Sequence, residues 1–237
     1  MNSETQIPAN SRSLSAEELP RCLDHTLLGT DATRAQVLAL CGEAQTYGFH
    51  AVCVNGRWVS TAADHLHGSG VKVASVVGFP LGSETTKAKV AQTKEAVRNG
   101  ADEIDMVADL AAILEGDGRY LLRQVQAVLN VCHSMRPAVL LKVIVESATL
   151  TTEQKVFAYR AIEQVGADFI ETGTGFHSAE GAKTEDVALV KETAPKCGVK
   201  AMGGIQTAEQ AVALLRAGAT RIGTSCGVQI VEELKGA

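Results

Sequence analysis

Two lysines stand inside apolar stretches of the sequence, where an ammonium group is rare. Lys142 lies in Val-Leu-Leu-Lys-Val-Ile-Val at 139–145, and Lys200 lies in Gly-Val-Lys-Ala-Met. Burial of a lone ammonium is costly, so each lysine must meet a carboxylate or take part in chemistry. We expect Asp105 or Glu171 to meet them, and a purely structural ion pair is the alternative to a catalytic role.

Asp105 stands in a similar stretch, Glu-Ile-Asp-Met-Val at 103–107. Successive side chains of a strand point to opposite faces, so Ile104 and Met106 share one face and Asp105 occupies the other. An inward aspartate near two lysines could relay protons, and an ion pair is again the structural alternative. Asp24, in the first apolar stretch of the chain, is a further catalytic candidate.

Glu171 ends the stretch Ala-Asp-Phe-Ile-Glu and precedes the loop Thr-Gly-Thr-Gly-Phe. A carboxylate at this place could take a proton from the carbon next to a carbonyl group. Lys200 or Lys142 would then stabilise the enolate oxygen. The structural alternative is that Glu171 serves only as a charge partner for the two buried lysines.

Small residues follow three of the apolar stretches, at 172–175, 203–204 and 223–225. Glycine lets backbone N–H groups approach an anion closely, and a helix N-terminus behind such a loop favours negative charge. Tight turns without a ligand are the alternative. We predict a phosphate site that is formed by Thr172, Gly175, Gly203, Gly204, Gly223 and Ser225.

Eight apolar stretches have the length of strands, and helical patterns separate them. Most are continuously apolar, which is typical of a parallel sheet that is buried on both faces. The predicted fold is a single-domain (β/α)8 TIM barrel, and a doubly wound open sheet is the alternative. A barrel has its active site at the carboxyl ends of its strands, where we expect the polar candidates, Asp24 among them. The predicted strands are 24–28, 51–54, 72–77, 103–107, 139–145, 168–172, 199–202 and 221–223.

Local signals indicate where helices begin and end between these strands. Thr207 with Gln210 three residues later predicts a capping box, and Thr151 or Thr152 can cap another helix. Glycine after a helical pattern often takes the left-handed conformation that ends a helix. The glycines in such places are Gly48, Gly100, Gly166 and Gly218.

Composition narrows the classes of function. The chain has 237 residues, of which 46% are hydrophobic and 21% charged, and its net charge is -5. This charge gives no reason to expect nucleic acid or an anionic membrane as a partner. The N-terminus has no signal core and no apolar run could span a membrane. We therefore expect a cytoplasmic protein with a flexible tail at 1–13 and a barrel domain at 14–237.

The cysteines and histidines give no sign of a metal site. The six cysteines form no Cys-x-x-Cys pair and lie in apolar runs, which favours free thiols in a reducing compartment. His65 and His67 would point apart on a helix, and no third ligand is evident. We predict no metal and no cofactor. His177, in the loop after the sixth predicted strand, could reach a ligand.

Several segments together resemble the deoxyribose-phosphate aldolase family, in the family's order and over nearly the whole chain beyond the tail. The resemblance implies a metal-independent enzyme that reversibly cleaves 2-deoxyribose 5-phosphate into glyceraldehyde 3-phosphate and acetaldehyde. It also implies a small phosphorylated carbonyl substrate and is consistent with a homodimer. The matching segments lie at 23–28 (LDHTLL), 52–55 (VCVN), 76–82 (VVGFPLG), 103–107 (EIDMV), 141–144 (LKVI), 166–170 (GADFI), 200–205 (KAMGGI) and 221–225 (RIGTS).

The resemblance also implies roles for individual residues. In the family, a lysine at the end of the sixth strand forms a Schiff base with the substrate. A lysine on the seventh strand keeps the pKa of the first lysine low, and an aspartate on the fourth strand relays protons. The last two match Lys200 and Asp105, but Glu171 occupies the Schiff-base position. A carboxylate cannot form an imine.

Three further departures from the family pattern surround this position: Gly173 and Met202 where the family has serine, and Gln206 where it has arginine. Lys200 is a poor replacement nucleophile, because a neighbouring carboxylate raises the pKa of a lysine. Opposite charges about 4 Å apart attract by roughly 4 kcal/mol at an effective dielectric of about 20, which is roughly 3 pK units. Lys142 is the other amine within reach.

Three functions are consistent with these residues. The first is a deoxyribose-phosphate aldolase-like carbon–carbon lyase that acts on a small phosphorylated sugar or aldehyde. The second is a divergent lyase, isomerase or cyclase that uses Glu171 as a general acid and base without an imine. The third is a non-catalytic protein that binds a phosphorylated metabolite, or an inactive variant of the enzyme.

Overall fold

The computed structural model describes residues 18–179 and 181–236 of the chain. Eight parallel strands form a closed barrel, in which each strand pairs with its neighbours in sequence and the last pairs with the first. This confirms the predicted (β/α)8 barrel over the open sheet. The strands are β1 (Leu23–Leu27), β2 (Ala51–Val54), β3 (Lys72–Val77), β4 (Glu103–Val107), β5 (Leu140–Ile144), β6 (Phe169–Glu171), β7 (Gly198–Met202) and β8 (Arg221–Thr224).

Helices connect the strands, and each predicted strand boundary lies within one residue of the observed one. Two helices lie between β4 and β5, and the last helix follows β8. In the described part of the chain the helices are α1 (Arg34–Tyr47), α2 (Val59–Leu66), α3 (Thr86–Arg98), α4 (Leu110–Glu115), α5 (Gly118–His133), α6 (Thr152–Val165), α7 (Thr184–Thr193), α8 (Ala208–Arg216) and α9 (Gly227–Lys235).

The local signals in the sequence act as predicted. Thr151 and Thr207 form capping boxes with Gln154 and Gln210, so Thr151 rather than Thr152 caps α6. Each box satisfies backbone N–H groups that the first turn of a helix leaves without a partner. The predicted helix-ending glycines all have left-handed φ values: 69° at Gly48, 99° at Gly100, 89° at Gly166 and 114° at Gly218.

One apolar cluster lies outside the barrel sheet and a second lies inside it. The large core between the sheet and the helices includes Ile104 and Met106, whereas Asp105 faces the interior of the barrel, which confirms the predicted alternation. The smaller cluster faces the interior as well, because its Cys53 donates to Asp105 at 3.5 Å. Its members are Leu28, Cys53, Ala74, Val76 and Met202, with Phe79 packed against them.

Lys89 of α3 is fully buried and holds three neighbouring segments together. Its Nζ donates to the carbonyl oxygens of Gly82 and Val107 at 2.6 and 2.7 Å and to Gln124 Oε1 at 2.8 Å. Burial lowers the pKa of Lys89 to about 8, although nearby carboxylates oppose this shift. Burial of Lys89 was not predicted, because it shares α3 with other lysines that are exposed.

The predicted tail at 1–13 lies outside the described residues. Within 18–179 and 181–236, no helix is long and apolar enough to cross a membrane. The six cysteines are free thiols, and five of them are buried, as their apolar surroundings predicted.

Candidate active site

Lys142, in the middle of β5, is surrounded by carboxylates in the barrel interior. Its Nζ lies 2.5 Å from Glu103 Oε2, 2.7 Å from Asp105 Oδ1 and 3.7 Å from Asp24 Oδ2. Burial opposes the charge on the ammonium, but Asp105 and Glu103 outweigh it and raise the pKa of Lys142. The ion pair that sequence analysis gave as the structural alternative is therefore present.

Lys200, in the middle of β7, has a similar environment. Its Nζ lies 2.6 Å from Asp105 Oδ2, 3.2 Å from Glu171 Oε1 and 3.3 Å from Asp24 Oδ2. Glu171 is also its register partner on β6. Burial opposes the charge, but the three carboxylates outweigh it and raise the pKa of Lys200 well above its usual range. Asp105 thus bridges the two lysines.

Asp24 lies deeper in the barrel than predicted. It is the second residue of β1, so the expectation that it stands at the carboxyl end of its strand is wrong. Arg221 Nη1 donates to Asp24 Oδ1 at 2.7 Å, and Nη2 donates to Glu103 Oε1 at 3.0 Å. Burial disfavours the carboxylate of Asp24, but Arg221 and the two lysines outweigh burial and lower its pKa to about 2.

Glu103 and Arg221 also belong to this cluster, and neither was predicted to. A signal was present for both. Alternation along β4 puts Glu103 on the same face as Asp105, and Arg221 opens an otherwise apolar strand. The two residues begin their strands, so they lie towards the amino-terminal end of the barrel, away from the expected active-site face.

Glu171 is the last residue of β6, and its carboxyl group is fully buried. Oε1 is within ion-pair distance of Lys200, but neither oxygen makes a hydrogen bond of good geometry within the described part of the chain. Burial raises the pKa of Glu171 to about 8, and the lysine only partly offsets this effect. Glu171 can therefore gain or lose a proton near neutral pH.

The balance of charges in the barrel interior agrees with a neutral Glu171. If Glu171 is protonated, three carboxylates face three cations. A lysine at the same position would leave four cations and three carboxylates, so an amine would be the group that burial drives to its neutral form. The residue at 171 thus decides whether the neutral group is an acid or an amine. The seven side chains are Asp24, Glu103, Asp105, Lys142, Glu171, Lys200 and Arg221.

A cavity of about 160 Å³ lies at the carboxyl ends of β6 and β7. Its wall includes four of the predicted phosphate-site residues, Thr172, Gly175, Gly203 and Gly204. The Thr172 hydroxyl is already in use, because it donates to the carbonyl oxygen of Met202 and accepts from its N–H group, both at 3.1 Å. The donors left for a ligand are therefore backbone groups of the glycine loops and the ring of His177, which also lines the cavity.

The other two predicted phosphate-site residues do not line this cavity. Gly223 faces the Lys200 side chain inside the barrel, where an added Cβ would lie 2.9 Å from Lys200 Cε. Ser225 follows β8 and is exposed. The structure therefore brings together the loops after β6 and β7, but not the residues that were expected to contribute from β8.

Glu146 brings a carboxylate to the wall of the same cavity. It follows β5 with a left-handed φ of 53°, which is uncommon for a residue other than glycine. Its carboxylate accepts from the Thr174 N–H group at 3.1 Å and from the Thr174 hydroxyl at 2.7 Å. A Cβ at residue 173 would lie 2.7 Å from Glu146 Oε1, so Gly173 makes room for this contact.

The three histidines that were considered as ligands lie in two different parts of the molecule, and His67 is not on the helix with His65. His177 lines the cavity and could reach a ligand there. His65 lies near the end of α2, and His67 follows the helix. Among the residues that the structure describes, no group of three or more His, Cys, Asp or Glu could hold a metal ion. Independence of metals and cofactors stays a prediction.

The model of the DeoC/LacD family of aldolases matches residues 21–233. The chain belongs to the DeoC/LacD aldolase family. The matched region contains the buried charge cluster and the cavity beside it. Membership confirms the predicted family and the predicted barrel of an aldehyde-lyase.

Three relatives illustrate the similarity within the DeoC/LacD family. Deoxyribose-phosphate aldolase of Geobacillus sp. (strain WCH70) is 49% identical over 215 residues, which cover 90% of this chain and 95% of the relative. That of Aciduliprofundum boonei is 48% identical over 223 residues, covering 94% and 99%. The solved deoxyribose phosphate aldolase of Aeropyrum pernix, a tetramer, has a TM-score of 0.87 and 30% identity, with 93% and 92% of the two chains covered.

Proposed function

We propose that the protein is a carbon–carbon lyase of the deoxyribose-phosphate aldolase type that acts on a small phosphorylated sugar or aldehyde, with Glu171 as its general acid and base. The observation that carries this proposal is the environment of Glu171. Its carboxyl group is buried, makes no hydrogen bond of good geometry and has a pKa of about 8. A group with such a pKa exchanges protons efficiently at neutral pH.

Imine formation is not supported by the state of the lysines. A nucleophilic amine must be unprotonated. Asp105 lies within 2.7 Å of both Lys142 and Lys200, and the carboxylates around them raise the pKa of each lysine. Both lysines are therefore ammonium groups at neutral pH.

Cleavage through Glu171 needs two proton transfers. The ionised carboxylate takes the proton of the substrate hydroxyl at the carbon that becomes the aldehyde. The neighbouring carbon–carbon bond then breaks, and its electron pair forms an enolate, whose oxygen the Lys200 ammonium stabilises. Glu171 returns the proton to the enolate carbon. The distance of 3.2 Å between Lys200 Nζ and Glu171 Oε1 supports this role for Lys200.

The phosphate group of the substrate is proposed to enter the cavity at the ends of β6 and β7. Backbone N–H groups of glycine-rich loops are suited to a phosphate oxygen. Glu146 already occupies the Thr174 N–H group, so an entering phosphate must compete with this carboxylate. Replacement Glu146→Gln should strengthen binding of inorganic phosphate, as measured by calorimetry, and unchanged binding would place the phosphate elsewhere.

Borohydride reduction in the presence of 2-deoxyribose 5-phosphate tests the absence of an imine. We expect no adduct on the wild-type protein and an adduct at position 171 of the Glu171→Lys variant, because that variant restores an amine beside Lys200. Peptide mass mapping locates the adduct. An adduct on Lys200 or Lys142 of the wild type would contradict the proposal.

Hydrogen exchange tests the proton transfer itself. Incubation with phosphorylated aldehydes and ketones in deuterium oxide should introduce deuterium next to the carbonyl group with the wild type. The isosteric variant Glu171→Gln should lose this exchange yet keep the binding of inorganic phosphate. Equal exchange rates in the two proteins would exclude Glu171 as the base.

Binding without chemistry is the second candidate function. The observation that favours it is that carboxylates occupy both interior lysines and that the whole charge cluster is buried. This candidate predicts thermal stabilisation by a phosphorylated metabolite, which rises with the ratio of ligand concentration to Kd, and no exchange of carbon-bound hydrogen. Exchange that depends on Glu171 would exclude it.

A homodimer is the oligomeric state that we propose for this enzyme. Support comes from the family resemblance, and the relative from Aeropyrum pernix is itself an oligomer. Sedimentation velocity over a range of protein concentrations would distinguish a dimer from a monomer or tetramer.

A further inference from the structure

Met202 occupies the barrel interior directly above the charge cluster. It is the last residue of β7 and lies two positions after Lys200, so the two side chains point the same way. Only 8% of Met202 is exposed. Its side chain packs in the inner apolar cluster with Leu28, Cys53, Ala74 and Val76. The position towards the carboxyl end of β7 places Met202 between the charges and the mouth of the barrel.

Gly223 of β8 shows how closely Met202 lies against the catalytic lysine. A Cβ at residue 223 would be 2.9 Å from Lys200 Cε, 3.0 Å from Met202 Sδ and 3.1 Å from Met202 Cγ. The thioether and the stem of Lys200 therefore lie side by side over the bare backbone of Gly223. Any larger residue at 223 would push one of them aside.

The cavity and the charge cluster are separate spaces. Met202 lines the cavity, but neither Glu171 nor Lys200 does, and both are fully buried. Met202 belongs both to the wall of the cavity and to the inner apolar cluster beside Lys200, so it lies between the two spaces. Methionine is unbranched and flexible, so its side chain can turn aside without movement of the backbone.

We propose that Met202 is the specificity-determining gate between the cavity and Glu171: its thioether excludes water from the acid and turns aside only for a substrate that fills its place. This inference rests on the proposed role of Glu171 as the acid and base. The residue that the family resemblance implies at this position is serine, which is shorter and polar. Methionine offers an incoming substrate an apolar wall without a hydrogen-bonding hydroxyl group.

Chemical access to Glu171 tests the gate without any substrate. A water-soluble carbodiimide with an amine labels accessible carboxyl groups, and peptide mass mapping identifies them. Met202→Ser should label at Glu171 about tenfold faster than the wild type, the factor for a barrier that is lower by about 1.4 kcal/mol. Met202→Leu conserves the apolar volume and should label as slowly as the wild type.

Titration of Glu171 provides a second readout that a purely structural role of Met202 would not change. In ¹³C NMR of carboxyl-labelled protein, the pKa of Glu171 should fall from about 8 towards its usual range in Met202→Ser, because water enters beside it. In Met202→Leu the pKa should stay raised. Circular dichroism confirms that both variants are folded.

Two outcomes would overturn the proposal. One is a folded Met202→Ser variant whose Glu171 labels and titrates as in the wild type. The other is a wild-type protein whose Glu171 already labels as fast as in that variant. Neither readout requires turnover, so failure of the gate is distinguishable from failure of the proposed function, which depends on loss of hydrogen exchange in Glu171→Gln.

Discussion

The protein buries lysines in two regions, and the two environments have opposite effects on them. Lys142 and Lys200 meet carboxylates in the barrel interior, and their pKa values are raised. Lys89 meets only neutral oxygens, at 2.6 to 2.8 Å, and its pKa falls to about 8. All three are fully buried. Burial alone therefore does not set the protonation state of a lysine; the charge of the groups that receive its hydrogen bonds decides it.

The charge of the neighbouring groups also sets the pKa values of two buried carboxyl groups, Asp24 and Glu171. Asp24 lies against three cations, and its pKa is about 2, whereas Glu171 lies against one and has a pKa of about 8. Both are fully buried. The number of cations within reach thus distinguishes a carboxylate that holds the barrel together from a carboxyl group that can exchange a proton.

The largest expected effect is the loss of a cation from the interior. Replacement Arg221→Met leaves Asp24 and Glu103 buried without their guanidinium, and it should lower the free energy of unfolding by about 3–5 kcal/mol. Urea denaturation measures this change. Arg216→Met, at an exposed site on α8, is the control and should have little effect. Equal stability of the two variants would show that the lysines alone neutralise the two carboxylates.

The second-largest effect expected is a change of stability with pH that is caused by the titration of Glu171. Its pKa in the folded protein is raised from 4.5 to about 8, so between these values the folded protein keeps a proton that the unfolded chain has lost. This contribution to stability is fully present below about pH 4.5 and is lost as the pH rises towards 8. Glu171→Gln should therefore remove a decline of a few kcal/mol over this range.

Parallel urea titrations of the wild type and Glu171→Gln between pH 5 and pH 9 would measure the difference. Asp24, Lys142 and Lys200, the charged neighbours of Glu171, have pKa values outside this range, so the difference between the two curves reports on Glu171. Parallel curves with no change of separation would mean that Glu171 is ionised throughout, and the comparison with Asp24 would fail.

A smaller effect is expected at Lys89, the buried lysine outside the barrel interior. Replacement Lys89→Met keeps most of the side-chain volume but leaves buried acceptors of Gly82, Val107 and Gln124 without a donor, at a cost of about 2–3 kcal/mol. Lys87→Met, on the exposed face of the same helix, is the matched control. If the melting temperature falls equally in Lys89→Met and Lys87→Met, the buried hydrogen bonds of Lys89 do not stabilise the protein.

The smallest effect is expected for an ion pair at the surface. Lys72 and Asp102 lie 3.5 Å apart, with 49% and 40% of their side chains exposed. Water screens such a pair, so Lys72→Ala should lower stability by less than about 1 kcal/mol, and added salt should reduce the effect. If urea denaturation shows a larger loss of stability for Lys72→Ala, burial matters less to the strength of an ion pair than the contrast with the barrel interior implies.

The sequence was sufficient for the fold and for most partners of the interior lysines. Continuous apolar strands, helix-ending glycines and capping boxes are local signals, and all eight strands were recovered to within one residue. Alternation along a strand placed Asp105 inside the barrel, and a carboxylate partner for each lysine followed from the cost of burying an ammonium.

Contacts between residues that are far apart in the sequence could not be predicted. The pairing of Arg221 with Asp24 joins β8 to β1 across most of the chain, and only closure of the barrel brings the two together. The contact of Glu146 with Thr174 depends on a left-handed residue that no local motif indicates. The depth of Asp24 was misjudged for the same reason, since its place in the strand does not show which end of the barrel its partners occupy.

The neutral form of one group, which balances the charges of the barrel interior, bears on how such a site can arise in evolution. Lysine and glutamate codons differ by one base, so one mutation converts the Schiff-base lysine that the resemblance implies into Glu171. The surrounding charges need not change, because the interior accepts an excess of either sign by altering the protonation of one group. A lineage can thus pass from an amine to an acid at this position while the inherited barrel remains folded.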